Sequence, residues 1–174
     1  MSNQQPAIIW PEKYTPGETD NFASNEVIVK GLSIADVLPY LEDTRAWAIY
    51  YQDNCDNVRV GDGSQTLLSD GIPFTFDTFG FTVYAEVLEF TREEGLVRLA
   101  WKGLCGEGDG LLDVYHAWLL QDLPGNRVRI LTQESQIGNP AKELAQSVPN
   151  IMVNGHQAWL KGLVETARNK VAIA

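Results

Sequence analysis

The chain has 174 residues, 44% hydrophobic and 21% charged, the make-up of an ordinary globular domain large enough to bury a core without staples. Thirteen lysines and arginines against 23 aspartates and glutamates leave a formal charge of −10. That balance excludes nucleic acid and anionic membrane surfaces as partners, since both are held by basic patches.

Residues 1–21 carry Pro6, Pro11, Pro16 and Gly17, which predicts an irregular leader that tucks Ile8, Ile9 and Trp10 onto the body. It is expected to cover a sheet edge or a cavity mouth, and residues 22–174 read as a single domain. The first residues, Met1 to Gln5, hold neither a basic nor an apolar targeting segment. No apolar run approaches the ~20 residues of a membrane span. Only two cysteines occur, Cys55 and Cys105, with no CxxC spacing, so neither a disulfide framework nor secretion is expected. Cytoplasmic residence follows, as a monomer or a homodimer.

Residues 22–30 predict a strand, because Val27, Ile28 and Val29 are β-branched in a row and Gly31 ends them. Ser33 suits an N-cap for a helix over 34–43, with Asp36 placed for a capping box and Pro39 keeping the helix short or kinked. A second short helix is predicted over 45–52. A strand piece at 58–60 follows, then strands over 72–76, 80–91 and 96–103. Phe74 and Phe76 share one face, while Phe81, Val83, Ala85 and Val87 share another. Two long alternating segments, 110–121 and 127–137, flank a turn at Leu123-Pro124-Gly125-Asn126. Asn139 as N-cap and Pro140 at the first helical position open a pattern that runs almost to Ala174. In it Leu144, Val148, Ile151 or Met152, Gly155, Trp159 and Leu163 form one apolar stripe. Pro149 lies inside and predicts a kink, or a short first helix re-capped by Ser147.

This order resembles the START-like helix-grip superfamily (SRPBCC), in particular its polyketide cyclase/dehydrase-like branch. The likeness is carried by Val27-Ile28-Val29 before residues 33–43, by the segment from Val83 to Phe90, and by Tyr115-His116-Ala117-Trp118 through Pro124-Gly125-Asn126-Arg127 into Glu134 and Asn139-Pro140. It implies an α+β fold in which a curved seven-stranded antiparallel sheet wraps around a long C-terminal helix, with two short helices after the first strand. It also implies a deep apolar pocket between sheet and helix for a lipid, polyketide or similar small hydrophobic or aromatic molecule. Some members of the superfamily catalyse cyclisation or dehydration there, and others only carry.

The residues singled out for such a pocket are few. His116 shares a strand face with Val114, Trp118 and Leu120; it either enters the pocket as a polar group able to move a proton, or sits outside satisfied by a carbonyl. Glu134 alternates in phase with Val128, Ile130 and Thr132, where desolvation would raise its pKa as acid–base work requires, unless the strand end emerges into solvent. The hairpin turn sets His116 across from about Thr132 and diagonal to Glu134. Both are therefore the candidate proton donor and acceptor of a cyclase, dehydratase or isomerase. Phe74, Phe76, Tyr84, Trp101, Trp118, Met152, Asn154, His156 and Trp159 are the candidate ligand contacts.

Gly106-Glu107-Gly108-Asp109-Gly110 is rejected as a phosphate loop, because it precedes a strand and carries two acids. Two histidines and two scattered cysteines predict no metal site, and no cofactor is expected. Three functional classes stay open: a carrier or binding protein, an enzyme, and a protein-interaction module with a filled core.

Overall fold

A computed structural model describes residues 4–174, and among these the chain forms a single sheet of seven strands with a set of helices on its concave side. The strands are β1 (Asn21–Lys30), β2 (Asp56–Val60), β3 (Pro73–Thr78), β4 (Phe81–Glu93), β5 (Leu96–Cys105), β6 (Leu112–Leu123) and β7 (Arg127–Ile137). They pair antiparallel in the order β1-β7-β6-β5-β4-β3-β2. Helices α1 (Ile34–Glu42) and α2 (Trp47–Tyr50) follow β1, and α3 (Asn139–Gln146) and α4 (Ile151–Arg168) close the chain. This is the α+β helix-grip architecture expected.

Local chemistry accounts for most of the boundaries. Asp36 Oδ2 accepts from the Ser33 backbone N–H at 2.8 Å, which is the predicted capping box of α1. The β4–β5 pairing shifts register between Val87 and Glu89, a bulge that helps the long β4 curl. Phe74 pairs with Ala85 and Phe76 with Val83, so these side chains lie on the same concave face and not on opposite ones as β4 alternation alone suggested. The β6–β7 loop is the three residues Pro124-Gly125-Asn126, with Gly125 and Asn126 at positive φ, so Leu123 faces Arg127. His116 consequently lies directly opposite Glu134, and Thr132 lies opposite Trp118.

The closing helical pattern is two helices. Gly138, not Asn139, caps α3, and Ser147 ends it rather than capping the next helix. Pro149 has no N–H to give, and α4 begins only after Asn150, whose Oδ1 accepts from the N–H groups of Met152 at 3.0 Å and Val153 at 3.2 Å. The strand–helix core is then asymmetric. Toward the C-terminal half of α4, α1 packs in and Leu160, Leu163 and Ala167 fill the concavity with Val37, Leu41, Trp118 and Ile130. Toward its N-terminal half α4 faces the cavity, and α3 lies at the rim of that space.

The convex face of the central strands is covered as well. Of the predicted leader, residues 1–3 lie outside the described residues. In the rest, Ile8 and Tyr14 pack on Ala100, Tyr115, Ala117, Leu119 and Leu131, with Trp10 against them, while Ile9 points outward. The leader thus covers the outer surface of the sheet and reaches its edge strand, where Trp10 stands against Phe22, and it contributes nothing to the lining of the cavity. This explains why Val114–Leu120 is buried at every position although the strand alternates.

Candidate functional site

Between the sheet and the first half of α4 lies a cavity of about 530 Å³. The sheet contributes Phe76, Val83, Trp101, Val114, His116 and Glu134, and α4 contributes Met152, His156 and Trp159. Phe79, at the β3–β4 turn, Leu144 on α3 and Ser147 just after it form the rim. Among the described residues that line it, none is lysine or arginine, and the two acids are Glu134 at depth and Glu143 at the rim.

Of the predicted contacts, Phe76, Trp101, Met152, His156 and Trp159 line this space together with His116 and Glu134. Four candidates do not. Tyr84 is 65% exposed, because the β4 alternation that turns Val83 and Ala85 inward turns it out. Phe74 is buried beneath Trp47 and Trp101, two residues before the wall residue Phe76 in β3. Trp118 is likewise one inward position beyond His116, where α1 and α4 have already closed the concavity. Asn154 is exposed on the outer side of α4, while its neighbour Gly155 is buried and lets the Phe79 ring approach: a Cβ there would stand 3.2 Å from Phe79 Cζ. Phe79 carries no sequence signal of its own and Leu144 was visible only as part of the apolar stripe, whereas Gln136 was detectable as the next polar residue in phase with Glu134.

At the inner end, three titratable side chains from three elements meet. His116 Nδ1 stands 3.6 Å from Glu134 Oε1, and His156 Nε2 stands 4.0 Å from Glu134 Oε2. The two imidazoles stack, with centroids 4.5 Å apart and planes at 21°. His116 Nε2 is 2.8 Å from Thr132 Oγ1. The Gln136 amide donates to Glu134 Oε2 and is itself held through its oxygen by the Asn21 amide at 2.7 Å. His156 Nδ1 has no hydrogen-bond partner among the described residues. Trp101 and Trp159 stand edge-on to the His116 ring, and Trp159 Nε1 donates to the Tyr50 hydroxyl at 3.2 Å.

Burial governs the charge state. Desolvation holds His116 well below the ordinary imidazole range, and His156 beside it adds to the effect. Desolvation lowers His156 to about 4. The same burial raises Glu134 to about 7, opposed by the Gln136 hydrogen bond. Both imidazoles are therefore neutral at neutral pH, and the carboxyl is poised between its two forms.

Spacing along the chain predicts no cluster of metal-binding type, yet the fold places both of the chain's histidines beside Glu134, with one donor atom from each of the three within 4.8 Å of the others. Cys55 and Cys105 are both unpaired. No helix among the described residues is long and apolar enough to cross a membrane.

The chain is similar to hypothetical protein jhp0584 from Helicobacter pylori, with 54% identity over 96% of this chain and 99% of that one, and a TM-score of 0.92. The chain belongs to that protein's family. More distant likenesses describe the fold: a START superfamily protein from Mycobacterium smegmatis at 12% identity (86% of this chain, 99% of that one; TM-score 0.55) and truncated norcoclaurine synthase from Thalictrum flavum at 13% (82% and 90%; TM-score 0.54). This family therefore has a START-like helix-grip fold, as the residue pattern led one to expect. No family model and no curated protein matches the chain.

Proposed function

We propose that residues 22–174 act as one ligand-binding domain that encloses a single small, apolar or aromatic molecule under α4. The observation that carries this is the cavity of about 530 Å³, aromatic along its walls and polar only at its inner end and rim. That volume is in the range of small-molecule sites, and a filled-core interaction module would have no use for it. The bound molecule is uncharged or cationic. A fatty acid or phosphate would be desolvated with no lysine or arginine in the lining to meet it, next to Glu134 and inside a chain of charge −10. Polyketide-like and arylamine molecules fit that chemistry better than anionic lipids. The two unpaired thiols support cytoplasmic residence.

Titration with N-phenyl-1-naphthylamine, a neutral aromatic fluorophore, should give saturable binding at one equivalent. Met152→Trp, which pushes a larger ring into the cavity from the start of α4, should weaken it at least about tenfold, or ~1.4 kcal/mol, at unchanged melting temperature. Oleate should not displace the probe. Absence of saturable binding overturns the proposal.

The approach of His116 Nδ1 to Glu134 Oε1 at 3.6 Å, inside the cavity wall, also supports proton transfer on the bound molecule. His116 and Glu134 would then be acid and base of a cyclase, dehydratase or isomerase. With a substrate in hand, His116→Ala is expected to lower kcat by about 10²- to 10⁴-fold while leaving the circular dichroism unchanged. Unchanged turnover would remove His116 from the chemistry.

A further inference from the structure

We propose that His116, Glu134 and His156 form a binding site for one divalent first-row transition-metal ion at the inner end of the cavity. The inference stands apart from the identity of the organic ligand. Its first support is the donor set: two imidazoles and one carboxylate, from β6, α4 and β7, with one donor atom of each within 4.8 Å of the others. Three protein ligands leave coordination positions open, and here they open toward the cavity, as in catalytic rather than structural sites.

The outer contacts are those a metal site needs. If the His116 Nε2–H donates to Thr132 Oγ1, the Nδ1 lone pair is left facing Glu134. Two lone-pair-bearing atoms 3.6 Å apart repel unless a proton or a cation lies between them. Gln136 and Asn21 hold the carboxylate in turn. Glu134 is buried, and among the described residues its ion-pair neighbours are the two histidines alone. A divalent ion supplies the positive charge that this carboxylate otherwise lacks.

The geometry closes with modest motion. Bonds of about 2.0–2.2 Å to a tetrahedral ion set donors roughly 3.3–3.5 Å apart. The His116–Glu134 separation of 3.6 Å is nearly there, and the His156–Glu134 separation of 4.0 Å is somewhat long. Rings stacked 4.5 Å apart with planes at 21° cannot both aim a lone pair at a point about 2 Å away, so one ring must turn out of the stack. His156 is the one free to do so, because no hydrogen bond holds its Nδ1. Imidazole donors favour zinc, iron or cobalt over magnesium and calcium, which take oxygen ligands.

The test is titration of the chelator-treated full chain with Co²⁺, read by its visible d–d absorption. Expected are bands that saturate at one equivalent, collapse on adding Zn²⁺ and ignore Mg²⁺. Glu134→Gln should abolish them with the melting temperature preserved. Thr132→Val, which releases the His116 ring without removing a ligand, should weaken Co²⁺ binding by about 10- to 100-fold. His156→Ala should abolish the bands with the melting temperature preserved. No saturable bands in the parent protein, or the same bands in Glu134→Gln and His156→Ala, would overturn the proposal.

Discussion

Trp47→Ala is expected to cost roughly 4–6 kcal/mol of folding stability, enough to unfold a domain of ordinary stability in mild denaturant. Trp47 is fully buried on α2 and touches Phe74, Phe76, Trp101 and Trp159, so it joins sheet to closing helix at the centre of the grip. Truncating a buried tryptophan removes its transfer free energy and leaves a cavity, about 3–5 kcal/mol together. Its Nε1–H also donates to the Leu41 carbonyl at 3.0 Å, and that buried oxygen would lose this partner at about 1 kcal/mol more. Urea unfolding followed by circular dichroism measures the difference. A loss under about 2 kcal/mol would mean that α2 is not part of the cooperative core. Because Trp101 and Trp159 line the cavity and lean on Trp47, ligand affinity should fall in the same variant.

Gly138→Ala is expected to cost about 3 kcal/mol or more and to weaken binding of the neutral probe. Gly138 has φ 127° and ψ 170°, a conformation that is essentially glycine's alone. A Cβ built there would stand 2.2 Å from the Leu111 carbonyl oxygen, a backbone atom that cannot swing away. The Gly138 N–H also donates to Asp20 Oδ2 at 2.8 Å, so displacement loses a link to the start of β1. Since Gly138 aims α3 at the rim, its shift moves Leu144 and Ser147. Gly71→Ala is the control: its φ is 76°, but nothing lies within 4 Å of the added carbon, and about 1–2 kcal/mol is expected. Equal costs for the two variants would show that backbone conformation, not the clash, sets the penalty.

Most of the frame was legible in the sequence because strand alternation and capping are local. The capping box Ser33–Asp36 and the span of β7 follow from neighbours a few residues apart. The β6–β7 register was read two residues out, since it depends on whether the turn holds Gly125 and Asn126 both at positive φ. Period-2 logic survives an even shift, so His116 and Glu134 kept their shared face. Tyr84 failed for a simpler reason: an aromatic side chain in a strand does not announce which face is concave.

Composition, periodicity and punctuation were sufficient by themselves for the run of alternating strands, the closing helical pattern and an apolar face bearing His116 and Glu134. These depend on contacts a few residues apart, which any chain with this pattern makes. The curved sheet around that helix was what the family resemblance implied. Only the tertiary structure decided that Pro149 gives a break rather than a kink, that the leader covers the outer face, and that part of the concavity stays open. It also decided that His156 comes to rest on His116 beside Glu134. That meeting is set by how α4 is aimed across the sheet by packing against α1, β1 and Trp47, and no local pattern in the chain encodes a distance of that kind.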